Sequence, residues 1–230
     1  MTNQLFPRRR AGWWPGLLAC LALAACGSQP PAPDWQMNAH GAARKGVEAY
    51  LSGQSRVAGA EFTRARQETA RTGQPALLAR LVLLECAVRV ASLEFTPCGA
   101  FDALRDDAGA AERAYADYLA GRGQPQDISR LPAAQQGAAM APTGAATPVL
   151  TGIADPLSRL VAAGVLLRTG RADPGTLQLA VDTASQQGWR RPLLAWLLVQ
   201  AQRADVAGQS QEAARLRRRM SLVEQGGALP

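Results

Sequence analysis

The sequence predicts an all-α fold, and three observations carry that expectation. Alanine, leucine, arginine and glutamine, all good helix formers, dominate the chain. Apolar residues recur at helical spacing, and no segment alternates as a strand would. Glycine and proline punctuate the apolar segments at regular intervals, which suits antiparallel hairpins of helices.

The elements follow in order. Residues 1–25 read as a secretory leader: Arg8, Arg9 and Arg10 precede an apolar run that starts near Gly16. That run is shorter than the roughly 20 residues a membrane-spanning helix needs. Residues 26–37 are rich in Gly, Ser and Pro at their start and read as a tether. A first helix is expected over 38–51 and a second over 55–72, where Ala58, Phe62 and Ala65 fall on one stripe. Thr72-Gly73-Gln74-Pro75 stops one helix and opens the next. The third helix, 75–93, is apolar around much of its circumference and is expected to be central. A fourth spans 100–120, with Asp106 to Gly109 as a candidate break. Residues 121–154, rich in Pro, Gly and Ala, read as a loop or linker that Ile128, Leu131 and Val149-Leu150 could partly order, with little to bury over 132–148. Asp155-Pro156 and Asp173-Pro174 each pair an N-cap with a first-turn proline and open helices. Two more helices, 193–207 and 210–223, flank Gly208. The organisation is an N-terminal helical block over 38–120 and a C-terminal block over 155–230.

Leu23-Ala24-Ala25-Cys26 ends the leader with small residues before a cysteine. This resembles the signal of bacterial lipoproteins. The resemblance implies cleavage before Cys26, lipidation of that cysteine with fatty acyl chains such as palmitate, and stable anchoring by more than one chain. Gly27 after the cysteine leans toward the outer membrane, with the domain facing the periplasm. Export would place Cys86 and Cys98 in an oxidising compartment, where an even pair is expected to form a disulfide.

Gly46, Gly53, Ala58, Phe62 and Ala65 share the small-and-aromatic spacing of a tetratricopeptide repeat, which this stretch resembles. Small residues let paired helices approach, and the aromatic fills the groove between them. Ala201, Gly208 and Ala213 repeat part of the pattern, but Arg217 stands at the aromatic position and Met220 at the final alanine. The expected fold is therefore a tetratricopeptide-like repeat array or an irregular helical bundle.

The formal net charge is +7, and the three leader arginines reduce it to +4 downstream. Arg215, Arg217, Arg218 and Arg219 crowd the last helix. They read as a solvated helix end or as a patch for an anionic partner such as peptidoglycan or lipid. No nucleic-acid motif accompanies them. His40 is the sole histidine, which leaves no Ser-His-Asp constellation or zinc motif and places His40 at the surface. No cofactor motif is found. Asp102, Asp106, Asp107 and Glu112 are the one carboxylate group open to acid–base work on peptidoglycan, although Arg105 and Arg113 interleave them as ion-pair partners. The expected function is a non-enzymatic scaffold or adaptor of the cell envelope, held by its lipid and binding a protein partner. A peptidoglycan-acting enzyme or its cofactor, and a structural protein that binds through the C-terminal arginines, are the alternatives.

Overall fold

The computed structural model describes residues 32–226. The leader, Cys26 and the first half of the tether, up to residue 31, lie outside the described residues. Helix α1 (Asp34–Leu51) starts earlier than the expected residue 38, with Asp34 in its first turn. A carboxylate there favours the positive end of the helix dipole. Residues 34–37 therefore belong to the helix, not to the tether.

The chain reverses at Gly53, whose φ of 86° is costly for any side chain. Helix α2 (Ser55–Ala70) then runs back along α1. The hairpin closes on small residues: Ala42, Ala43 and Ala65 meet Leu81 of the next helix. Phe62 packs with Ala49, Ala58 and Val88. Helix α3 (Pro75–Ala91) is central, as its apolar circumference predicts, and packs on α1, α2, α5 and α8. It ends at Leu93, which adopts a left-handed φ of 61°. The Glu94 amide there closes on the Arg89 carbonyl at 2.9 Å.

The Cys86–Cys98 disulfide ties α3 to the start of α4 (Gly99–Asp102), with Cα atoms 5.9 Å apart. The expected fourth helix is split, because the chain turns through residues 103–109 before α5 (Ala110–Leu119).

Residues 121–154 are more ordered than a loop or linker, and the low-complexity stretch 132–148 is part of that order. They form a 3₁₀ helix (Pro125–Arg130) and two short helices, α6 (Ala133–Met140) and α7 (Thr147–Thr151). Leu131, Ala138, Ala146 and Leu150 are buried in the main core. Gln135 is buried too, and it accepts from the Tyr118 hydroxyl and donates to the Ser158 carbonyl, each at 3.0 Å. Low complexity misled here because alanine can bury almost its whole surface against α8 without a large side chain.

The C-terminal helices are α8 (Pro156–Arg168), α9 (Pro174–Gln186), α10 (Arg190–Val206) and α11 (Ser210–Glu224). Both Asp-Pro starts are capped. Asp155 accepts the Ser158 amide at 2.7 Å, and Asp173 accepts the Thr176 amide at 2.6 Å. Successive helices pair, and α10 also reaches back to α1. Trp196, fully buried, donates to the Ala91 carbonyl at 3.1 Å. One core runs from α3 to α11, and two small satellite cores lie beneath the α1–α2 hairpin. The fold is all-α, built from helical hairpins.

Candidate functional site

Helix packing positions the surfaces, starting with the residues expected to pack as a repeat. Phe62 lies across α1 at Gly46, where an added Cβ would stand 2.8 Å from the ring. Ala58 and Ala65 are buried on the same stripe. In the last hairpin, Ala201 and Ala213 are buried at the α10–α11 contact and Gly208 turns the chain with a φ of 70°. Arg217, which would stand at the aromatic position of the expected repeat, is exposed and pairs with Asp205. The buried side chain there is its neighbour Leu216. That one-residue offset keeps Leu216 three residues from Ala213 on the same helix face.

An open groove of about 370 Å³ runs along α3 and α5. Leu83, Leu84, Ala87, Tyr115, Leu131 and Pro132 make it apolar. The Arg80–Glu112 ion pair, 2.7 Å, forms part of its rim. Tyr115 stacks beside Tyr118 with ring centroids 6.2 Å apart, and burial pushes both hydroxyls up. Two of these residues, Leu131 and Pro132, come from the segment read as a linker.

The carboxylates do not gather. Asp102, the last residue of α4, and Asp106 and Asp107 on the α4–α5 connection are all exposed. Glu112 is turned toward α3, where the hydrogen bond from Arg80 holds its carboxyl below the usual range. A proton donor in glycoside cleavage needs the opposite shift. His40 is exposed on α1. Among the described residues no group of three His, Cys, Asp or Glu side chains is placed to hold a metal ion. No helix among them is long and apolar enough to cross a membrane.

The C-terminal arginines divide. Arg215 binds Glu212 through two hydrogen bonds of 2.8 Å, and Arg217 takes Asp205. Arg218 and Arg219 have no ion-pair partner among the described residues. Only part of the run is therefore available as a patch.

Arg191 is the polar residue that sequence reasoning missed. Its guanidinium donates to the Tyr50 carbonyl at 2.8 Å and to Glu94 at 3.0 Å, and it lies 4.3 Å above the Tyr50 ring. It joins the α1–α2 turn, the end of α3 and the start of α10. Its partners Glu94 and Tyr50 stand 97 and 141 residues away in the chain, so no local pattern could reveal them.

No family model, curated protein or solved structure matches this chain.

Proposed function

We propose that the protein is a membrane-anchored, non-enzymatic scaffold or adaptor of the cell envelope. It binds a protein partner through the groove between α3 and α5. The supporting observation is that groove: apolar along its length, open to solvent, and rimmed by an ion pair. Interfaces of this kind take an apolar side-chain row and fix it with a polar rim. The leader and Cys26 supply the anchor in this reading, and Gly27 directs the chain to the outer membrane with the domain in the periplasm. The groove would serve outer-membrane, pilus, secretion or cell-wall assembly. Ala111 is exposed beside the groove, so an arginine there obstructs it without entering the core. Affinity capture from envelope extracts should yield a partner with the wild-type chain and lose it with Ala111→Arg. Equal capture by both would sink the groove as the binding surface.

A second reading, binding of peptidoglycan or anionic lipid through α11, is favoured by Arg218 and Arg219. It expects Arg218→Ala/Arg219→Ala to abolish co-sedimentation with sacculi or anionic vesicles. Retained co-sedimentation would reject it.

A further inference from the structure

A second cavity lies on the other side of α5, beside the disulfide. It holds about 100 Å³, the room of a few water molecules at ~30 Å³ each. Three arginines line it: Arg105 from the α4–α5 connection, Arg122 from the turn after α5, and Arg168 from the end of α8. Cys98, Phe101 and Asp102 line it as well.

The acids lie on one side of the cavity: Asp117, Asp102 and Asp106 all act on Arg105, and no carboxylate among the described residues acts on Arg168. Arg105 and Arg122 share one oxygen of Asp117, at 2.7 and 3.1 Å. Asp102 reaches Arg105 only at 3.9 Å and is largely exposed. Arg168 has no carboxylate partner among the described residues. It donates to the Leu119 carbonyl at a long 3.3 Å and lies 5.3 Å above the Phe95 ring. Burial, and then the nearby Arg122 charge, pull the Arg168 guanidinium down. Holding a partly buried cation beside another cation costs free energy unless an anion joins them.

We propose that this cavity is a binding site for a phosphate-type oxyanion, either free phosphate or the phosphodiester of a lipid headgroup. The donors arrive from three elements, which suits a tetrahedral group with oxygens in several directions. A planar carboxylate would be satisfied by one guanidinium fork. The cavity has room for one phosphate group, and its open side lets the rest of a headgroup lie outside. The site is distinct from the α3–α5 groove and from the α11 arginines.

Calorimetry on the full chain in a neutral detergent, at constant ionic strength, tests the site. The probes are inorganic phosphate and glycerophosphoglycerol, a soluble phosphodiester headgroup. Saturable binding of one ion per chain is expected. Arg168→Gln should weaken it at least tenfold, Arg122→Gln should also weaken it, and Asp102→Asn should tighten it. Arg218→Gln should leave it unchanged. Tighter binding of the phosphodiester identifies a headgroup, and tighter binding of inorganic phosphate identifies the free ion. Absence of saturable binding by both probes, or equal affinity in wild type and Arg168→Gln, overturns the proposal. If Arg168→Gln loses its circular dichroism spectrum, the more exposed Arg122→Gln decides.

Discussion

Gly46→Ala should change the sign of its effect with the identity of residue 62. In the wild-type chain the new Cβ would lie 2.8 and 2.9 Å from two Phe62 ring carbons and 3.1 Å from a third. Phe62 is 5% exposed and packs against Ala49, Ala58 and Val88, so the ring has little room to retreat. Overpacking of this kind costs roughly 1–3 kcal/mol. Alanine in a helix interior gains about 1 kcal/mol over glycine, which offsets part of that loss. The contact is with a rigid ring, so the upper half of the overpacking range applies, for a net loss of about 1–2 kcal/mol. Phe62→Ala alone should cost about 3–5 kcal/mol. In that background the clash is gone, so adding Gly46→Ala should stabilise the chain by about 1 kcal/mol. The coupling between the two sites is then about 2–3 kcal/mol, well above what independent sites show. Urea unfolding of the four chains, followed by circular dichroism at helical wavelengths, measures it. A Gly46→Ala gain of equal size in both backgrounds would refute the packing argument.

Three further outcomes are expected. Replacing Cys86 and Cys98 with alanine should cost about 3 kcal/mol in the chain-entropy model, and non-reducing peptide mapping of the wild type should recover a fragment linking the two; separate peptides would contradict the pairing. Arg191→Ala should cost about 1–3 kcal/mol through its charged hydrogen bonds, and it should speed hydrogen exchange in α1 and α2 more than in α8 and α9. Uniform acceleration would deny it the role of a clasp. The Glu112 carboxyl is lower in the folded chain than unfolded, so its pairing stabilises the fold above the ordinary glutamate value of about 4.3 and the stabilisation fades as the pH falls through the depressed folded value. Glu112→Gln should therefore reduce stability at neutral pH and make it less sensitive to acid. A stability–pH curve parallel to that of wild type would contradict the linkage.

Helix type and order were legible because their signals are local. Asp155-Pro156 and Asp173-Pro174 start helices with caps that form as the residue types require, and Gly53 and Gly208 turn the chain where glycine alone is comfortable. The hairpin glycine and aromatic were also readable, since Gly46 and Phe62 sit on adjacent helices joined by a short turn. The stretch 132–148 was not, because Ala138 and Ala146 acquire burial only from α8 and its neighbours. The break between α4 and α5 was visible as Asp106 to Gly109, but its consequence was not: it turns the exposed acids away from Glu112, which then pairs with Arg80. The α3–α5 groove was equally hidden. Its residues carry no motif and come together through packing across the break and across the expected linker.

The groove carries the functional account, and a photo-reactive amino acid at Ala111 tests it most directly. Irradiation of intact cells should produce one discrete cross-linked species from that position and none from Gly59, which is exposed on α2 away from the groove. No adduct at residue 111, or the same adducts from both positions, would contradict a partner seated between α3 and α5.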